Sequence, residues 1–406
     1  MEYQSCATFS PQTSSALDQT SSSWWSIVYG IPALFGDLWH RRGDKNAPAK
    51  LSLDNFDVCA GNVPDDINLS NNVCSDLQLE EHSLSLESIN NVSQKYAKLC
   101  RNLRSDFTVD IFVDKFDEAH KFSVTNLLDV SNTENAIYLP GNNDYFYNKD
   151  FALKLKNNGY NFYALSIPST GFASHVSDYN YSSFSDVDVL FQYIDILLLH
   201  YKVDSVDILF GHSTGGLIAT MYADYRNYLQ EACIRKLILS NPFFDWYNDP
   251  ASKSYFGSER FLETLLSPLG LLLPNVNVKW SSGSPNKTSC QEFNELNFNP
   301  MYKSLREPKT LAKWIRACTK AHQKIQNGQV NVKCKVVILC SDKSKYWEYS
   351  VDSDNVLDVQ DIKKYGKLIS NDVEIYEIEN SIHHCFLRVN IEDYLSRPTS
   401  PSTPAP

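Results

Sequence analysis

From about residue 105 onward, short strand-like apolar runs alternate with longer stretches at helical spacing. Residues 107–113 and 121–124 alternate apolar and polar positions, which predicts two strands. The run 136–139 predicts a third, leading into Pro140-Gly141-Asn142-Asn143-Asp144-Tyr145-Phe146. A helix is predicted from there to Asn158, stopped by Gly159. A strand over 161–167, a loop over 168–172 and a helix over 184–201 follow. Within the apolar run that starts at Val206, Ile208, Leu209 and Phe210 read as the next buried strand, and 217–223 opens the next helix. Further strands are predicted at 236–240, 335–340 and 373–378. Strands alternating with helices at this spacing predict an α/β fold, with a mainly parallel central sheet and helices on both faces.

Between 246 and 330 the connection is far longer than an ordinary loop, and it carries helix-like apolar runs at 260–273 and 309–325. An insertion there sits at the carboxyl end of the sheet, where it is expected to act as a helical lid. Its apolar stretch 262–273 is a candidate lining for an acyl pocket, and a plain structural cap is the alternative.

Outside this region the pattern dissolves. Residues 1–23 are rich in Ser, Thr and Gln, and 397–406 in Pro and Ser, too polar to repay the entropy of ordering. Residues 24–39, with Trp24, Trp25 and Trp39, are mostly apolar but too short to span a bilayer, and Gly30, Pro32, Gly36 and Asp37 interrupt them. They read as a peripheral membrane contact or as a segment packed on the hydrophobic core, and the irregular face favours packing. Residues 43–100 are polar with one predicted helix at 77–99. The expected organisation is an N-terminal extension over 1–104, a catalytic-scale domain over 105–395 and a tail over 396–406.

The 406 residues carry a formal net charge of −11, with basic residues scattered, so a nucleic-acid footprint is not expected. Ten cysteines include no C-x-x-C pair, which fits reduced thiols rather than zinc or disulfides. The first residues lack a basic region ahead of an apolar core, so no signal peptide and a cytoplasmic location are expected.

The candidate chemistry centres on Gly211-His212-Ser213-Thr214-Gly215, at the end of one predicted strand and the start of a helix. A serine that attacks a carbonyl has to stand clear of the sheet, so the chain turns sharply and glycine flanks the turn. That is the context of a nucleophile elbow, with Ser213 as the nucleophile.

Four stretches together carry a resemblance: P-G-N-N-D-Y-F after the third strand, G-H-S-T-G-G, S-D-N-V-L-D-V near 353–359, and S-I-H-H at 381–384. With them, residues 105–395 resemble α/β-hydrolases of the monoacylglycerol lipase and serine aminopeptidase type. The resemblance implies an order of nucleophile, acid, histidine. It assigns His383 as the base, with the adjacent His384 as its rival. It assigns Asp354 as the acid, displaced by an apparent insertion over 343–352. Asp342 is the geometric competitor, and Asp358 a structural second aspartate. The oxyanion hole would use the backbone amides of Asn142 and Thr214. Relatives carry His-Gly where this chain has Pro140-Gly141, and the loop 166–171 lacks their Asp-x-Arg-Gly-x-Gly pattern. The implied activity is hydrolysis of small-molecule carboxylic esters with an apolar acyl chain, such as monoacylglycerols or lysophospholipids, through an acyl-enzyme and without metal or cofactor. Aminopeptidase or acyltransferase activity of the same triad, and a catalytically silent binding protein, stay open.

Overall fold

Among the described residues nine strands form one sheet: β1 (Phe56–Gly61), β2 (Thr108–Asp114), β3 (Lys121–Leu127), β4 (Glu134–Leu139), β5 (Tyr160–Ser166), β6 (Ile208–His212), β7 (Lys236–Ser240), β8 (Lys335–Ser341) and β9 (Val373–Ile378). Their spatial order is β1-β2-β3-β5-β4-β6-β7-β8-β9. Strands β1, β2 and β3 pair antiparallel, as do β3 and β5, while every pair from β5 through β4 to β9 is parallel. The computed structural model describes residues 56–61, 107–114, 121–168, 170–171, 184–229, 234–247, 267–278, 298, 302–303, 308–345 and 350–395. All of them lie in one compact unit, Leu51–Pro406. The expectations for 1–23, 24–39, 77–99 and 397–406 fall outside the described residues.

Central strands covered on both faces must be apolar throughout, and every residue of β6 and β7 is buried. Successive side chains feed opposite cores. Ile137, Leu209, Leu239 and Ile338 join one cluster, and their neighbours Tyr138, Phe210, Ile238 and Val337 join the other. Each fully buried side chain of this size contributes about 1.5–3 kcal/mol of transfer free energy. In the second cluster Tyr138 stacks on Phe210, ring centres 5.5 Å apart, with Phe151 and Phe386 edge-on to Phe210. The edge strand β9 is only half-buried, and Glu374 and Glu377 on it pair with Lys335 and Lys363. Charges on an edge discourage another strand from adding to it.

Among the described residues there are six α-helices: α1 (Lys149–Asn157), α2 (Phe191–Tyr201), α3 (Thr214–Tyr228), α4 (Ser267–Leu272), α5 (Ala312–Gln326) and α6 (Val359–Gly366). Asn148 caps α1 by accepting from the Phe151 amide, and Asp358 caps α6 by accepting from the Gln360 amide. Gly159 follows α1 at φ 91°, the conformation that ends a helix most cheaply with glycine. Helix α5 buries Trp314, Ile315, Cys318, Ala321 and Ile325 in the first core cluster.

Three features differ from the pattern-based expectation. Strand β1 was not foreseen in the polar stretch before residue 105, yet it pairs with β2 in full antiparallel register from Phe56↔Asp114 to Gly61↔Val109. The helix predicted over 184–201 opens as a tight 3-10 turn, Val187–Leu190, capped by Asp186, before α2 begins. In the insertion, Gly270 of α4 packs on α5, where an added Cβ would come within 2.8 Å of Arg316 Cβ. Leu271, Leu272 and Leu273 instead face outward, at least half exposed. Residues 262–266 lie outside the described residues. Among the described residues no helix is long and apolar enough to cross a membrane.

Candidate active site

The turn from β6 into α3 is built on backbone proximity. Gly211 has the backbone of Gly215 so close that a Cβ would fall 2.5 Å from the Gly215 carbonyl oxygen. A Cβ on Gly215 would collide with the Leu139 and Pro140 carbonyls at the end of β4. Between them Ser213 is forced to φ 53°, ψ −120°, a region that non-glycine residues rarely occupy. Four backbone bonds hold it there: Ser213 N–H to the Ser240 carbonyl at 3.0 Å, and the amides of Gly216, Leu217 and Phe243 to the Ser213 carbonyl at 2.9, 3.2 and 3.0 Å. The serine is 8% exposed, within reach of a small reactant.

The loop after β4 runs directly past it. A Cβ on Gly141 would sit 3.1 Å from Ser213 Cβ and 3.3 Å from His212 Cδ2. That brings Gly141 beside the serine; Thr214, the next residue after Ser213, begins α3 with an amide that has no intrahelical acceptor. The loop over 166–171, which departs from the expected sequence, closes as a turn with Thr170 N–H on the Ile167 carbonyl. Gly171, at φ 54°, lets it press on Tyr145, since a Cβ there would meet Tyr145 Cβ at 2.9 Å.

His383 follows β9 and is 5% exposed. Its Nδ1 lies 2.8 Å from Asp354 Oδ2. A carboxylate only accepts, so Nδ1 carries the proton and the lone pair of a neutral His383 is on Nε2. The other carboxylate oxygen, Oδ1, accepts from the amides of Val356 and Leu357 at 2.8 and 2.9 Å. Asp354 is fully buried, and these three bonds satisfy it.

The insertion over 343–352 explains how an aspartate this far along the chain reaches the site. Lys345 N–H donates to the Asp354 carbonyl at 2.8 Å and Asp354 N–H to the Lys343 carbonyl at 3.0 Å. These two bonds pinch the base of the insertion shut and return Asp354 to the end of β8. Asp342 serves elsewhere: its carboxylate accepts from the Asn380 amide and orders the turn after β9. Among the described residues the Ser213 hydroxyl makes no hydrogen bond to His383; catalytic contacts of this kind commonly close only with substrate bound.

His384 points into a different partner set. Its Nε2 lies 3.1 Å from Asp144 Oδ2, and Asp144 Oδ1 lies 3.1 Å from Lys303 Nζ. The His384 ring packs against His212, tilted by 40° with centres 4.1 Å apart. His212 Nδ1 meets the Ser240 carbonyl at 3.2 Å and therefore carries the proton. Burial, then the neighbouring His384, His383 and Lys303, push His212 well below the usual histidine range, so it stays neutral. Donor atoms of Asp144, His212 and His384 lie within 4.8 Å of one another, the spacing of a metal set. The Lys303 ammonium already compensates Asp144, so a divalent ion would have to displace it.

Sequence reasoning left Asp144, Lys303 and Asn241 without roles. Asp144 stood in the quoted loop but had no visible partner, and Lys303 lies in the insertion, remote in sequence. Asn241, at φ 38°, follows β7 and looks like an ordinary turn residue.

The family described as serine aminopeptidase, S33, matches residues 141–387. Solved structures with similar folds include a monoacylglycerol lipase of Paleococcus ferrophilus, 16% identical, covering 63% of this chain and 89% of that one, TM-score 0.44. A soluble variant of monoglyceride lipase from Saccharomyces cerevisiae is 17% identical over 68% of this chain and 89% of that one, TM-score 0.43. The esterase EaEST of Exiguobacterium antarcticum is 15% identical over 68% and 92%, TM-score 0.40. Sequence comparison with curated proteins finds no match. With the family match spanning more than half of the chain, on a mainly parallel sheet with an elbow at Ser213, the protein is an α/β-hydrolase that belongs to the serine aminopeptidase S33 family.

Proposed function

We propose that this hydrolase cleaves carboxylic esters with an apolar acyl chain, of the monoacylglycerol or lysophospholipid type, through Ser213, His383 and Asp354. The observation that carries the reading is the Asp354–His383 contact of 2.8 Å beside a strained serine turn. Asp354 holds His383 with Nδ1 protonated, leaving Nε2 to take the Ser213 proton as Oγ attacks the ester carbonyl. The amides of Asn142 and Thr214 receive the developing oxyanion. His383 then protonates the leaving alcohol, and the same nitrogen activates water against the acyl-enzyme.

An aminopeptidase would place a carboxylate against the substrate's ammonium. Among the described residues around the serine turn, Asp354 is engaged by His383, and Asp144 by Lys303 and His384, which favours the ester reading. The test is a chain-length series of p-nitrophenyl esters and monoacylglycerols beside aminoacyl p-nitroanilides. Ester turnover that rises with chain length supports the reading, and preferential anilide cleavage would replace it with a peptidase.

A further inference from the structure

The geometry points to a second buried carboxylate–imidazole pair, Asp144–His384 with Lys303 behind it, as a positioning device for the oxyanion loop. The inference rests on the serine-hydrolase reading above.

All three side chains are almost wholly inside, 3% exposed for Asp144 and 4% each for Lys303 and His384. Burying an ammonium and a carboxylate costs several kcal/mol per ion, and their attraction repays that only with good geometry. Apolar residues of the same volume commonly give equal or better stability, so stability alone does not account for the set. What the set does is join four segments at one point. Asp144 stands three residues beyond Gly141, where an added Cβ would sit 3.1 Å from Ser213 Cβ, and two beyond Asn142, the proposed oxyanion donor. His384 follows the proposed base directly. The His384 ring lies on His212, the residue before the nucleophile. Lys303 comes from the insertion, with its ammonium over the Phe298 ring at 4.8 Å and near the Tyr147 ring at 5.6 Å.

Loop and base are therefore registered against each other by one carboxylate. Asp144 Oδ2 accepts from His384 Nε2–H, and Oδ1 is held by the ammonium, so the carboxylate cannot rotate without losing a partner. The oxyanion amide then depends on the insertion being seated, because Lys303 supplies the second anchor. A loop that drifts by about 1 Å loses up to about 100-fold in rate while still binding substrate.

The test uses the full-length protein, with fluorophosphonate labelling rates and steady-state ester hydrolysis for Asp144→Asn, His384→Ala, His384→Gln, Lys303→Met and the double Asp144→Asn/Lys303→Met variant. Melting temperatures are measured in parallel. Asp144→Asn and His384→Ala are expected to lower kcat and labelling by about 10- to 100-fold with KM within about twofold. Glutamine at 384 can still donate to Asp144 and should recover most of the rate. The double variant should be no slower than Asp144→Asn alone, since both remove one interaction. If Asp144→Asn does not fold, the comparison of His384→Ala, His384→Gln and Lys303→Met decides. A labelled wild type whose variants match it in rate, or lose rate only as they melt, would overturn the inference alone. An unlabelled wild type would remove the serine-hydrolase reading and this inference with it.

Discussion

Asn241 donates its side-chain amide to the His383 carbonyl at 2.7 Å, across the gap between the ends of β7 and β9. Its Oδ1 accepts from the Ser341 amide at 3.0 Å, and its own N–H reaches the Leu339 carbonyl at 2.8 Å. Two residues on, Phe243 N–H holds the Ser213 carbonyl. One short segment therefore sets the base loop, the end of β8 and the nucleophile turn.

Asn241→Ala strips these side-chain bonds and leaves the buried Ser341 amide without its acceptor. A loss of about 1–3 kcal/mol in stability is expected, with kcat lowered about 10-fold or more while KM stays near wild type. Denaturant melts and steady-state ester kinetics check both numbers.

Asp354 and Asp342 are separated by their partners. Asp354→Asn presents an amide to His383 Nδ1 and unsettles its tautomer, so kcat should fall by about 10³- to 10⁴-fold. Asp342→Asn should keep activity within about twofold of wild type, because that carboxylate only accepts from the Asn380 amide. Equal losses in the two would mean that the acid has been misassigned.

Gly215→Ala should cost about 3 kcal/mol or more, since the new methyl meets the backbone carbonyls of Leu139 and Pro140, which cannot yield. Gly366→Ala meets the terminal Ile338 Cδ1 at 2.5 Å, a flexible group, with Ile375 and Phe244 at ordinary contact distance, and should cost less. Urea titration of both orders them, and the reverse order would contradict the elbow geometry.

His322 on α5 packs edge-on to Phe243, centres 4.5 Å apart, and near Trp246 at 5.4 Å. Burial pushes it down to about 3, against a smaller opposing pull from the Phe243 backbone. Its folded value is below the ordinary histidine value, so the unfolded chain binds the extra proton first as pH falls. Its contribution is whole above about pH 6.5 and is lost toward pH 3, at up to about 1.4 kcal/mol per pH unit. His322→Phe should flatten the acid limb of stability against pH while leaving pH 8 little changed, as thermal melts from pH 4 to 8 would record.

Strands with a local apolar run were legible within a residue or two: β7, buried throughout, and the half-buried edge strand β9 coincide with the sequence reading, and β8 extends it by Ser341. The turn at Ser213 was legible because its glycines and flanking apolar run are local. Strand β1 was not, because Phe56–Gly61 sits in polar sequence and owes its state to pairing with β2. Asp354 came into view only through the family pattern; what brings it to His383 is the pinched base of an insertion, which spacing does not reveal. Asp144 and Lys303 escaped for the same reason, since a buried ion pair between remote segments leaves no periodic trace.

The most direct measurement is fluorophosphonate labelling of the purified, folded protein beside Ser213→Ala and His383→Ala, read by intact mass. The account predicts one adduct on the wild type, none on Ser213→Ala, and labelling slowed by about 10³-fold or more on His383→Ala. An unlabelled wild type, or an adduct that survives Ser213→Ala, would contradict it.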